Sequence, residues 1–218
     1  MKPKYEAVIW DMDGTILDTL EDLHDSTCHI LNQNNLPSIS IKETRSYLGN
    51  GAYHLIEMAC PKGTNKETIE KVFEEYKSYY ASHCEIKTKP YDGILEVMNT
   101  LKAKGIKQAI VSNKPDDAVR ILSDKYFTGL ADYSIGDSPE RNKKPAPDSV
   151  FQALEALNVS KEEAVYIGDS EVDLMTAKNS EMDCITVLWG FRDKEDLIEQ
   201  GASTFADKPN DILKIIEL

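Results

Sequence analysis

The chain has 218 residues, of which 29% are charged and 8% aromatic, and its formal net charge is −13. That length buries a substantial core without covalent staples, and the composition argues against disorder. The acidic balance argues against nucleic acid or an anionic membrane surface as a general partner, because phosphate backbones demand Lys and Arg. A small phosphorylated substrate stays compatible, since a bound cation and a few basic groups reverse the field inside one cleft.

An apolar run at 5–10, ending at Trp10, predicts the first strand. Residues 16–89 contain no good strand and predict four helices, roughly 18–34, 41–48, 51–59 and 65–83. Turn signals separate them at Asn34-Asn35, Gly49-Asn50-Gly51 and Pro61-Lys62-Gly63. The apolar stripe Ile69, Val72, Phe73, Tyr76 and Tyr80 predicts the core of a helix bundle. Beyond it, apolar runs at 107–112, 164–168 and 184–189, with a weaker one at 203–206, predict strands buried on both faces. Helical patterns lie at 93–104, which stops at Gly105, and at 149–157, 193–200 and 210–217. The alternation implies a doubly wound, Rossmann-like parallel α/β sheet built from 1–15 and 90–218, with 16–89 inserted after the first strand as an all-helical unit.

Cys28, Cys60, Cys84 and Cys184 form no C-x-x-C pair and match no zinc spacing, so free thiols in a reducing compartment are expected. No secretory pattern and no apolar stretch of about 20 residues is present, and the expected location is cytoplasmic.

The polar punctuation carries the chemistry. The first strand ends in Asp11 and Asp13, the second core strand in Ser112-Asn113-Lys114, and the third in Gly168-Asp169-Ser170. Ligands of open parallel sheets bind beyond the carboxyl ends of the strands, so these groups are expected at one edge. In extended chain, residues two apart point the same way, which lets Asp11 and Asp13 face one site. Gly14 removes a side chain where a ligand needs close backbone approach. One carboxylate is suited to attack phosphorus, and the other to move protons to the leaving oxygen and from water. Carboxylates and an anionic phosphate repel unless a cation joins them, and an all-oxygen ligand set fits Mg²⁺. Asp11 and Asp169 are the expected side-chain ligands, Asp13 would add its backbone carbonyl, and Asp173 would hold a coordinated water or orient a neighbour. Ser112 is a candidate donor to phosphoryl oxygens. Lys143 or Lys144, before a Pro-rich helix start, is a candidate phosphate clamp.

These residues resemble the haloacid dehalogenase superfamily. Asp11-Met12-Asp13-Gly14-Thr15 looks like its first motif, Val111-Ser112-Asn113-Lys114 its second, Lys144-Pro145-Ala146-Pro147 its third and Gly168-Asp169-Ser170-Glu171-Val172-Asp173 its fourth. The resemblance selects Lys144 over Lys143. It implies Asp11 as nucleophile, Asp13 as acid–base, and substrate contacts from Gly14, Thr15, Asn113 and Lys114. The helical insert is similar to the family's C1 cap. The segments Arg45 to Ala52, Ser112 to Pro115 and Trp189-Gly190-Phe191-Arg192 look like the phosphoglycolate phosphatase branch, which implies that Arg45 or the loop Gly49, Asn50 and Gly51 faces a second anionic group. Asn179-Ser180-Glu181 departs from the branch pattern. A phosphosugar mutase, a pyrophosphatase and a non-catalytic phospho-acceptor module are the alternatives. A monomer or weak homodimer is expected. His24, His29, His54 and His83 all fall in the insert, where ordinary helix roles are expected.

Overall fold

A computed structural model describes residues 4–217; residues 1–3 and 218, at the ends of the expected core segments, lie outside the described residues. In chain order the strands are β1 (Ala7–Trp10), β2 (Leu17–Asp18), β3 (Lys89–Pro90), β4 (Lys107–Pro115), β5 (Tyr133–Asp137), β6 (Ala164–Gly168), β7 (Asp183–Val187) and β8 (Phe205–Ala206). Among the described residues, six of these form one parallel sheet in the order β5-β4-β1-β6-β7-β8. β2 and β3 form a separate antiparallel ribbon.

The sheet is covered on both faces, which explains its unbroken apolar strands. The alternation of side chains sorts each central strand between two layers. Ala7 and Ile9 of β1, with Ala164 and Tyr166 of β6, join one apolar cluster; Val8 and Trp10, with Val165 and Ile167, join the other. Helix α5 (Ile94–Ala103) sends Val97 and Leu101 into the second layer, and α7 (Asp148–Leu157) sends Val150 and Leu154 into the first. Gln108, a buried polar side chain near the start of β4, is satisfied. Its Oε1 accepts from the Trp10 indole N–H at 3.2 Å, and its amide donates to the Met98 carbonyl at 2.9 Å.

Four helices lie between β2 and β3: α1 (Leu20–Gln33), α2 (Ile41–Tyr47), α3 (Ala52–Ala59) and α4 (Lys66–Ala81). Local chemistry sets their starts. Ser40 and Glu43 form a capping box on α2, and Asn65 accepts from the Thr68 N–H to cap α4. The buried Asp22 carboxylate of α1 accepts from the N–H groups of Lys87 and Thr88, which fastens the bundle to the segment leading into β3.

Two features depart from the sequence expectation. The stretch 16–89 is not free of strand, because the short ribbon of β2 and β3 forms its neck. Helix α6 (Asp116–Tyr126) and β5 lie outside the elements that the sequence pattern predicts. β5 is an edge strand whose run Tyr133-Ser134-Ile135-Gly136-Asp137 is only half-buried and interrupted by small and polar residues. The remaining helices, α8 (Glu171–Asn179), α9 (Lys194–Glu199) and α10 (Pro209–Ile215), complete the alternation. No described helix is long and apolar enough to cross a membrane. The cysteines are free thiols.

Candidate active site

β4, β1 and β6 are adjacent at the centre of the sheet, so their carboxyl ends deliver Ser112, Asp11 and Asp169 to one edge. After β1 the chain turns sharply: the Met12 carbonyl accepts from the N–H groups of Thr15, Ile16 and Leu17. Gly14 takes a φ of +82° in this turn. A Cβ there would lie 2.4 Å from Asp169 Oδ2, and one on Gly190 would also lie 2.4 Å from the same atom. The backbone therefore closes on the Asp169 carboxylate from two sides, and only glycine permits either approach.

The acids surround one buried lysine. Lys144 Nζ donates to Asp11 Oδ1 at 2.7 Å, to Asp173 Oδ1 at 2.8 Å and to the Tyr166 hydroxyl at 3.0 Å, which uses its three protons. Lys143, by contrast, is exposed and donates to the Asn50 carbonyl. Asp173 is fully engaged. Its Oδ1 also accepts from the Tyr166 hydroxyl at 3.0 Å, and its Oδ2 accepts from the N–H groups of Asp169 and Ser170 and from the Ser170 hydroxyl. Asp169 Oδ2 accepts from the Phe191 N–H at 2.6 Å, whereas its Oδ1 has only a long contact, 3.5 Å, with the Thr15 hydroxyl.

The electrostatics follow from burying three acids with one cation. Burial, then the neighbouring Asp173 charge, pushes the Asp11 carboxyl well above the usual carboxylate range. The same causes push Asp169 up to about 7. Burial also opposes the Asp173 carboxylate, but Lys144 and the Ser170 and Tyr166 hydrogen bonds outweigh it and hold its pKa low. Burial opposes the Lys144 charge, and Asp11 and Asp173 overcome it, so the ammonium persists. Oxygens of Asp11, Asp169 and Asp173 come within 4.8 Å of one another. Asp11 Oδ2 and Asp169 Oδ1 are the atoms least committed to protein donors. A hard divalent cation fits that donor set, because it would relieve the repulsion that raises both carboxyls.

A cavity of about 50 Å³ lies above these acids, room for a few water-sized groups. Its floor is Asp11, Asp13, Ser112, Lys144 and Asp169, and its roof comes from the helices, with Leu23, Leu55, Tyr76 and Tyr80. Asp13 Oδ1 sits 2.9 Å from Lys114 Nζ, an ion-pair distance, yet the angle is not that of a hydrogen bond and the oxygen has no other partner.

The expected substrate contacts divide. Gly49, Gly51 and Lys114 line the cavity, while Gly14 and Thr15 shape the turn beneath it. Asn113 lines it too, but its side chain is spent: the amide donates to the Gly49 and Lys144 carbonyls, and Oδ1 accepts from the Lys144 N–H. Arg45 and Asn50 lie outside the lining. Arg45 turns to the Gly190 carbonyl and the Asp193 carboxylate, because those acceptors sit directly across the joint. The arginine that reaches the cavity is Arg192, held by both oxygens of Glu171 and by the Leu48 carbonyl. The sequence pattern assigns Tyr166 to a strand and Tyr76 and Tyr80 to the bundle core. A Tyr three residues before a strand-end Asp was the available signal for Tyr166, since a buried hydroxyl needs a partner.

A family model described as haloacid dehalogenase-like hydrolase matches residues 8–187. The chain is similar to a phosphoglycolate phosphatase of Colwellia psychrerythraea, 30% identical over 215 residues and covering 95% of each protein. It is also similar to the N-acetylmuramic acid 6-phosphate phosphatase of Pseudomonas aeruginosa, at 25% identity over 98% of this chain and 96% of that protein. Among solved structures, one from Lactobacillus delbrueckii subsp. bulgaricus, itself proposed to be a phosphoglycolate phosphatase, matches with a TM-score of 0.93 at 36% identity, covering 98% of both chains.

Proposed function

The chain belongs to the haloacid dehalogenase-like hydrolases, and from that footing we propose that it is a Mg²⁺-dependent phosphatase of a small phosphorylated metabolite, phosphoglycolate being the leading substrate. The observation that carries this reading is the Asp11 carboxylate on the cavity floor, with one oxygen fixed by Lys144 at 2.7 Å and the other uncommitted.

The reaction divides into two displacements. An oxygen of Asp11 attacks phosphorus, and the bond from phosphorus to the leaving oxygen breaks while Asp13 gives that oxygen a proton. Asp13 then takes a proton from water, whose oxygen attacks the aspartyl phosphate and returns the free Asp11 carboxylate and inorganic phosphate. Lys144 neutralises charge at Asp11 and, with the Ser112 hydroxyl, faces the phosphoryl oxygens as their charge is redistributed. Asp173 acts through Lys144, whose ammonium it holds in place. Asp11 and Asp169, with the Asp13 backbone carbonyl, would hold the Mg²⁺ ion, which when bound offsets the repulsion between carboxylates and phosphate. The helices of 16–89 serve as the cap that roofs the cavity and excludes bulk water.

The substrate follows from the roof. A short leaving group suits a cavity whose roof is the apolar and aromatic set Leu23, Leu48, Leu55, Tyr76 and Tyr80. A screen of phosphoglycolate, pyrophosphate and hexose phosphates with Mg²⁺ tests this. Highest kcat/KM on phosphoglycolate is expected, and a preference for hexose phosphates would overturn the assignment. Conversion of a hexose 1-phosphate to its 6-phosphate without phosphate release would instead favour a mutase.

A further inference from the structure

The helical roof contains a polar group that nothing in the phosphatase mechanism uses. Tyr76 is 0% exposed and lines the cavity, yet its hydroxyl has no hydrogen-bond partner. Leaving a buried hydroxyl unsatisfied is costly, and such a group calls for an explanation. Beside it, the Tyr76 and Tyr80 rings stack at 5.4 Å and 7°. The Tyr80 hydroxyl accepts from Lys114 Nζ at 2.7 Å, and the same ammonium lies 4.7 Å from the Tyr80 ring centroid. Lys114 is itself 4% exposed.

We infer that Tyr76 and Lys114 form a subsite for the carboxylate of the substrate's leaving group, with Tyr76 as a specificity-determining donor. This rests on the phosphatase reading and deepens it. The patch carries an ammonium and phenolic O–H groups, opposed by Asp13 at 2.9 Å from Lys114 and, near Tyr80, by Asp22 and Cys84. Burial, and then the neighbouring Tyr80, raises the Tyr76 phenol well above its ordinary range, so it remains a neutral donor. A phenolic donor and a buried cation lining one cavity suit an anionic group, and a carboxylate supplies two acceptors for the two. The other roof residues, Leu23, Leu48, Ala52 and Leu55, accept only carbon. A short chain carrying phosphate at one end and carboxylate at the other therefore satisfies the floor and the roof together. A phosphoester of equal length whose leaving group is a plain alkyl chain leaves the Tyr76 hydroxyl orphaned.

Two phosphonates without a scissile P–O ester bond separate binding from turnover: 3-phosphonopropionate, and propylphosphonate, which lacks the carboxylate. Calorimetric titration of the full chain with Mg²⁺ is expected to show wild type binding the first at least about ten-fold more tightly, as for a hydrogen-bonded charge in a desolvated site. Tyr76→Phe is expected to cut that preference to a few-fold, and Lys114→Met to abolish it. Because the lost hydroxyl has no partner, Tyr76→Phe should unfold at the same or a higher temperature. No preference in wild type, a preference unchanged in Tyr76→Phe, or a lowered unfolding temperature would overturn the inference. Hydrolysis of p-nitrophenyl phosphate by the same preparations judges the phosphatase reading separately. Turnover without carboxylate preference sinks the subsite alone, and carboxylate preference without turnover sinks the phosphatase alone.

Discussion

At the scale of single residues, Lys144 holds the arrangement together. Its ammonium bridges two buried acids, and removing one partner of such a network strands the others in low dielectric. Lys144→Ala is expected to destabilise the chelator-treated protein by about 3–5 kcal/mol, read from urea unfolding. Asp13 predicts a different signature. Asp13→Asn should still accept a phosphoryl group on Asp11 but turn over about 10²–10⁴-fold more slowly, because both proton transfers lose their carrier. Trapped phosphoenzyme detected by mass spectrometry would agree; an unchanged steady-state rate would not.

Asp169 supplies a pH dependence. Its carboxyl is pushed from 3.8 up to about 7 in the folded chain, so between those values the folded state holds a proton that the unfolded state has lost. Its stability contribution is thus full below the unfolded pKa and is lost as pH rises through about 7. The metal-free protein should therefore lose thermal stability across that window, and Asp169→Asn should flatten the loss. Added Mg²⁺ should raise the melting temperature more at pH 8 than at pH 5.5, since cation and proton compete for one carboxylate. Equal stabilisation at both pH values would contradict it.

At the scale of elements, the joint between helices and sheet is latched reciprocally. Arg45, at the end of α2, reaches the Gly190 carbonyl and Asp193, while Arg192 reaches back to the Arg45 and Leu48 carbonyls. The two halves differ in burial. The Arg45–Asp193 pair is 35% and 69% exposed, and such pairs contribute about 0–1 kcal/mol. The Arg192 side chain is 13% exposed and paired with both Glu171 oxygens. Arg192→Ala should therefore speed hydrogen exchange across the 45–51 segment well beyond Arg45→Ala; equal effects would argue against the latch.

This joint is also less legible in the sequence than the acids it covers. The acids after β1 and β6 were legible because a strand end followed by polar residues has a fixed meaning in a parallel sheet. Lys144 needed the family resemblance, since Lys143 beside it offers the same charge. The resemblance leaves Arg45 or the loop 49–51 facing the substrate; the Arg45 partners, Gly190 and Asp193, lie far along the chain, and no local pattern pairs them. Tyr76 fitted a helical apolar stripe, and the ring does belong to the core; that its hydroxyl faces a cavity is a tertiary fact. β5 escaped because an edge strand lacks the continuous apolar run of its neighbours.

At the scale of the whole molecule, the parallel sheet gathers Asp11, Asp13, Ser112, Lys144 and Asp169 at one cavity, while the helices supply the roof. A net charge of −13 and a cavity floor made of acids would repel a phosphate dianion. On the proposed mechanism a cation and Lys144 offset that repulsion, so activity should vanish with chelator and return with Mg²⁺. Hydrolysis of p-nitrophenyl phosphate with Mg²⁺ by wild type and Asp11→Asn tests the central claim most directly. Wild type is expected to turn over while Asp11→Asn falls to background; equal rates from the two would contradict Asp11 as the nucleophile.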